Sequence, residues 1–136
     1  MQKIILDTNV IVSSLIQKNY SYLIVEHCID GNALICISYP ILQEYVQVLE
    51  RPKFARFTDF KANADLLIAR LSEIAKTYEP KKKLKIIKDQ FDNRFLELAD
   101  ISQADFIITG NTNDFTMDSY KATKIITPKQ YWEEFK

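Results

Sequence analysis

Lys3-Ile4-Ile5-Leu6-Asp7-Thr8-Asn9 sets a short apolar run directly against three polar side chains. A continuous apolar run of this length reads as a strand buried on both faces, which is the habit of a parallel sheet. The polar triplet then reads as the turn out of that strand. Asn9 can cap a short helix carrying Val10, Val12, Leu15 and Ile16. Working outward, a second helix over Ser21–Ile29 stops at the Asp30-Gly31-Asn32 turn, and Ala33–Ser38 is the next strand-like run before Pro40. Ile41, Leu42, Tyr45, Val46 and Leu49 recur at helical spacing, ending near Arg51-Pro52.

A longer helix is predicted over Asp59 to Tyr78, with Phe60, Ala64, Leu67, Ile68, Leu71, Ile74 and Tyr78 on its apolar stripe. Lys81-Lys82-Lys83-Leu84-Lys85-Ile86-Ile87 leads into a short strand, and Asp92-Asn93 opens a helix that turns Phe95, Leu96 and Ala99 inward. Phe106–Thr109 is a strand ending at Gly110, Lys124–Ile126 a weaker one, and Thr127-Pro128-Lys129-Gln130 has capping-box spacing. Strands alternating with helices imply a parallel sheet covered on both faces. Right-handed crossovers then place ligands beyond the carboxyl ends of its strands. Neither a repeat nor a linker divides residues 1–136, so one domain is expected.

Composition narrows the chemistry by exclusion. Lys and Arg number 18, as do Asp and Glu, so a polyanion would have to be met by a local patch or a bound metal. Two glycines, Gly31 and Gly110, cannot write a phosphate loop or a dinucleotide fingerprint. One histidine, His27, excludes multi-histidine metal sites and is expected to pack among apolar neighbours. Cys28 and Cys36 are too few for a disulfide scaffold and read as buried thiols. With no leader and no long apolar run, a cytoplasmic protein without membrane attachment is expected.

Carboxylate is what remains. Asp7 follows the first strand, Asn111 and Asp114 follow the strand at Phe106–Thr109, and Asp92 sits at a helix start, where backbone N–H groups favour an anion. Glu44 lies roughly 130° from the centre of its helix's apolar positions at about 100° per residue, so it can lean over the same edge. Each has a plain alternative: Asp7 and Asp92 as caps, Glu44 as a solvated residue, Asn111 and Asp114 as loop chemistry. Together they are more specific, because like charges gathered at one edge repel unless a cation joins them. Hard oxygen ligands suit Mg²⁺ or Mn²⁺, and the chemistry they best serve is phosphodiester hydrolysis.

Ile4-Ile5-Leu6-Asp7-Thr8-Asn9-Val10, Glu44 in its helix, Asp92-Asn93-Arg94-Phe95-Leu96-Glu97-Leu98-Ala99, and Ala104-Asp105-Phe106-Ile107-Ile108-Thr109-Gly110-Asn111 with Asp114-Phe115 together resemble a PIN domain. The flavour is that of VapC-type toxins of toxin–antitoxin pairs. The resemblance implies a three-layer α/β/α sandwich around a mainly parallel sheet of four or five strands. It also implies a Mg²⁺- or Mn²⁺-dependent endoribonuclease acting on single-stranded RNA, with a cognate antitoxin and a homodimer as candidate partners. Carried over by position, Asp7, Glu44 and Asp92 are the acidic metal ligands, and the fourth acidic position falls at Asn111 or at Asp114. Asn111 departs from the four-acid pattern, which bears on a second metal more than on the fold. Thr8, Asn9 and Thr109 are read as support for the site.

Lys81, Lys82, Lys83, Lys85 and Lys88 form the one basic cluster in the sequence, a solvated segment or a contact for RNA phosphates. Arg94 can hold a phosphate or pair with a carboxylate, and Glu97, opposite its helix's apolar face, is expected in solvent. Two other functions compete. An RNA-binding PIN relative with weak or no catalysis would follow from Asn111. A phosphotransfer or receiver domain also sets Asp at a strand end, but the Asp-x-Asp phosphatase pattern wants an acid where this chain has Asn9.

Overall fold

Strand β1 (Lys3–Leu6) carries Ile4, Ile5 and Leu6 without solvent exposure, which is why the run lacks alternation. After it come α1 (Thr8–Ile16), α2 (Tyr20–Ile29), β2 (Leu34–Ser38), α3 (Tyr39–Leu49), a 3-10 turn (Pro52–Arg56), α4 (Phe60–Ile74) and β3 (Lys76–Tyr78). Then follow α5 (Gln90–Ser102), β4 (Phe106–Ile108), β5 (Ser119–Tyr120), β6 (Thr123–Ile126), and α6 (Pro128–Gln130), which widens into a π turn over Tyr131–Phe135. The computed structural model describes residues 1–87, 90–110, 115 and 117–136, and only the backbone of residues 90 and 91.

The strands order as β3-β2-β1-β4-β6-β5, all parallel to their neighbours except β5 against β6. Helices flank this mainly parallel sheet, as the alternating pattern predicts. From the central β1, the chain builds β2 and β3 to one side, then crosses over to build β4 and β6 on the other. The order therefore reverses between β1 and β4, and the crevice beyond their carboxyl ends is where such sheets take ligands.

Among the described residues six strands stand where four or five were expected, and both departures have physical causes. Tyr78 continues the helical stripe of Leu71 and Ile74, so periodicity alone carries the helix to it. The helix instead ends at Ile74, and Lys76, Thr77 and Tyr78 pair with Cys36, Ile37 and Ser38. The hairpin of β5 and β6 turns on Lys121-Ala122 without a glycine or asparagine; Lys121 itself takes the left-handed φ of 52°. Two local expectations also change. Asp7, not Asn9, caps α1, and Lys81–Ile87 forms an irregular strap rather than a strand. Its N–H groups at Leu84, Ile86 and Ile87 are taken by side chains of α5, which leaves no ladder to join.

The end of the chain closes over its start. Thr127 and Gln130 form the predicted capping box, with reciprocal bonds of 2.9 and 3.1 Å. Buried Tyr131 donates its hydroxyl to Gln2 Oε1 at 2.7 Å, and Gln2 Nε2 donates to the Phe135 carbonyl at 2.7 Å. His27 packs edge-on against Tyr131 and Trp132, and Cys28 and Cys36 are buried free thiols, as expected of each.

Candidate functional site

Asp7 is the first residue beyond β1 and is only 7% exposed. A buried carboxylate is costly unless hydrogen-bonded, and this one is held on both oxygens. Oδ1 accepts the Thr8 N–H at 2.7 Å, and Oδ2 accepts the Thr109 hydroxyl at 2.6 Å. The first bond makes Asp7 the cap of α1, whose N-terminal dipole favours the negative charge. The second crosses from β1 to the residue after β4, and the Asp7 N–H extends that pairing to the Ile108 carbonyl at 2.9 Å. Asp7 is thus fixed at the reversal of strand order.

Thr8 joins a second acid to this point. Its hydroxyl donates to Glu44 Oε2 while its N–H serves Asp7, so one residue bridges the two carboxylates. Glu44 projects from α3 off the apolar stripe, as the angular reading predicts; the next residue, Tyr45, goes the other way into the core. Tyr45 is fully buried and donates its hydroxyl to the Leu6 carbonyl, bracing the last residue of β1. Burial pushes the Tyr45 pKa well above its ordinary value, and the negative charges of Asp7 and Glu44 push it the same way. Tyr45 therefore stays a neutral donor beneath both acids. The sequence presented it as one more apolar position, and only its adjacency to Glu44 hinted at more.

Asp92 lies in the first turn of α5, half-buried, on a helix that packs against β1, β2 and α3. Its neighbour Asn93 is buried: the side-chain oxygen accepts N–H groups of Ile86 and Ile87 at 3.1 and 2.8 Å, and the amide donates to the Ile87 carbonyl at 2.7 Å. Glu97, expected in solvent, accepts the Leu84 N–H at 2.9 Å instead. Both were missed because their partners are backbone groups of an irregular segment, which leave no periodic trace.

The other predicted residues fall as follows. Thr109 is fully buried, and Asn9 is exposed beside Ser13, Ser21 and Gly110 around an open groove of about 410 Å³. Arg94 shares a cavity of about 620 Å³ with Lys83, Lys85, Asn93, Glu97 and Pro40. Lys81 lies 3.9 Å from Glu79, and Lys82 lies 3.7 Å from Asp100, which also takes Lys121. Asn111, Asp114 and Lys88 lie outside the described residues.

Asp7 and Glu44 offer hard oxygen donors whose chemistry suits a divalent cation such as Mg²⁺ or Mn²⁺. Among the described residues, no group of three or more His, Cys, Asp or Glu side chains forms a ready metal site. What the structure brings together, through Thr8, is the pair of carboxylates of Asp7 and Glu44. Nor does any helix among the described residues have the length and apolarity to cross a membrane.

Comparison with known proteins bears on what such an edge does. A family model described as PIN domain matches residues 3–113, from β1 past β4. The uncharacterized protein MJ1680 of Methanocaldococcus jannaschii is 28% identical over 142 aligned residues, covering 98% of this chain and 91% of its own.

Proposed function

The chain belongs to the PIN domain family, whose members are generally nucleases using divalent metal ions, and on that premise we propose that it is a Mg²⁺- or Mn²⁺-dependent endoribonuclease cutting single-stranded RNA. The observation that carries this reading is the clasp at the reversal of strand order, where Thr8 bridges Asp7 and Glu44 and Thr109 anchors Asp7 from β4. Asp7, Glu44 and Asp92 would hold the cation, with Asp114 as the fourth acid, and Asn111 is counted with them among the catalytic residues. Held by these carboxylates, a divalent ion would supply Lewis acidity toward the phosphate and toward a water.

The protein's own contribution is preorganisation. Thr8 and Thr109 fix the Asp7 carboxylate by a backbone and a side-chain donor, so no reorientation is needed when substrate arrives. Tyr45 braces the strand end from which Asp7 projects. In the reaction, water adds its oxygen to phosphorus, the bond to the 3′-oxygen breaks, and that oxygen leaves with a proton. The products are 5′-phosphate and 3′-hydroxyl ends.

Cleavage of a labelled single-stranded RNA, with and without chelator, tests the proposal. Activity should need added Mg²⁺ or Mn²⁺ and vanish in Asp7→Asn, which keeps a cap but loses the anion. Full activity in excess chelator would defeat it. Asn111, in place of the acid of the four-acid pattern, favours one alternative: an RNA-binding domain with weak or no catalysis. RNA binding that persists while no metal concentration yields cleavage would select that alternative. The biological role we infer is the toxin of a toxin–antitoxin pair, and a small DNA-binding partner encoded beside it would support that role.

A further inference from the structure

The basic strap Lys81–Ile87 divides into two kinds of lysine. Lys81 and Lys82 lie near Glu79 and Asp100, at 3.9 and 3.7 Å. Lys83 and Lys85 have no ion-pair partner among the described residues, and both line the cavity shared with Arg94 and Pro40. That cavity adjoins the acidic edge on two sides. Pro40 lies one helical turn before Glu44 on α3, and Asn93 and Arg94 follow Asp92 on α5. Next to Pro40, Tyr39 is 67% exposed at the start of α3, just beyond the carboxyl end of β2. Cations that track a backbone, with an exposed aromatic face beside them, are what single-stranded nucleic acid requires.

We propose that Lys83 and Lys85 bind backbone phosphates of single-stranded RNA beside the acidic edge, that Tyr39 stacks on a base there, and that Glu97 and Asn93 are positioning residues for the strap. The inference rests on the ribonuclease reading and deepens it. Glu97 and Asn93 act through main-chain bonds at Leu84, Ile86 and Ile87. These bonds fix the backbone on either side of Lys85 and next to Lys83, in a segment that has no strand partner. Without them, two long cationic side chains would hang from an unanchored loop, and ordering them on binding would cost entropy.

The test is binding of a fluorescently labelled oligouridine in chelator, where the proposed chemistry is off, across a series of salt concentrations. Each phosphate contact contributes roughly 0.7 to the slope of log affinity against log salt on single strands, so Lys83→Ala with Lys85→Ala should reduce its magnitude by about 1.4. Lys82→Ala removes the same charge from the same segment and should leave the slope unchanged. Tyr39→Ala should weaken binding without altering the slope, because stacking releases no counterions.

Glu97→Ala and Glu97→Gln both remove a negative charge, but only Gln retains an acceptor for the Leu84 N–H. Positioning predicts that the Ala variant binds roughly two- to tenfold more weakly while Gln holds wild-type affinity. Thermal melts establish that each variant is folded. An unchanged slope in the double lysine variant, an equal loss of slope in Lys82→Ala, or tighter binding by both Glu97 variants would overturn the proposal while leaving the ribonuclease reading in place. Failure of the wild-type protein to bind or cut RNA at low salt would remove that reading itself.

Discussion

Replacing Thr109 separates two effects that the structure sets against each other. The residue is fully buried, and its hydroxyl gives Asp7 Oδ2 a 2.6 Å bond across the β1–β4 seam. Thr109→Val keeps shape and volume but withdraws the donor from a buried carboxylate. A hydrogen bond to a charged group contributes about 1.5–3 kcal/mol. Thr109→Ser keeps the donor and removes one buried methyl, at about 0.5–1.5 kcal/mol by analogy with Ile→Val. The hydrogen bond should therefore win, and Val should be the more destabilising change. For a domain of this length the Val loss corresponds to a fall in Tm of roughly 5–10 °C.

Urea denaturation of the two variants reads this directly, as a shift of midpoint at constant slope. RNA cleavage should follow the same order, nearly retained in Ser and strongly reduced in Val, because only Val takes the Thr109 donor from Asp7 Oδ2. A Ser variant less stable than the Val variant would mean that position 109 acts by packing and that the Asp7 clasp does not stabilise the edge.

Three further outcomes are expected. Mg²⁺ at a hundredfold excess over its dissociation constant should stabilise the folded chain by about 2.7 kcal/mol, raising Tm by several degrees. Asp92→Asn should shrink that increment, and a variant that keeps all of it shows Asp92 is no ligand. Tyr45→Phe strands the Leu6 carbonyl and should cost about 1–3 kcal/mol in a urea melt at neutral pH; an unchanged midpoint would show that the bond braces nothing. Burial pushes the Cys28 thiol from its ordinary 9.0 up to about 12. The unfolded chain ionises first, so this contribution is whole below pH 9 and lost as pH climbs towards 12. Cys28→Ala should lose less stability than wild type between those values, and parallel stability curves would count against the assignment.

How much could be read from residues alone depended on where each interaction partner lay in the chain. β1, β2 and β4 were legible because a strand buried on both faces writes an apolar run, and β6 only weakly, because exposed Lys124 leaves it a run of two. The cap at Thr127 was legible because its partner is three residues away. β3 was not, since Tyr78 fits a helical stripe as well as a strand and only pairing with β2 decides between them. At the edge, Asp7 and Glu44 were placed by their positions after a strand and off an apolar stripe. The Thr8 bridge between them needs α1 and α3 side by side, which neither stretch encodes alone. Asn93 and Glu97 were beyond reach for a related reason: polar side chains on a helix look solvated until an irregular backbone is laid against them.

The seam between β1 and β4 also sets a timetable. β1 and Asp7 are made early, yet the strand that flanks β1 on its other side, and the hydroxyl that anchors Asp7, arrive 102 residues later. At roughly 5–20 residues per second, that interval is on the order of 5–20 s during which β1 keeps an open edge and Asp7 lacks its clasp. A nascent chain paused between β3 and β4 can join β1, β2 and β3 and go no further. If the chain cuts RNA as proposed, its cutting edge stays unassembled until β4 has been made.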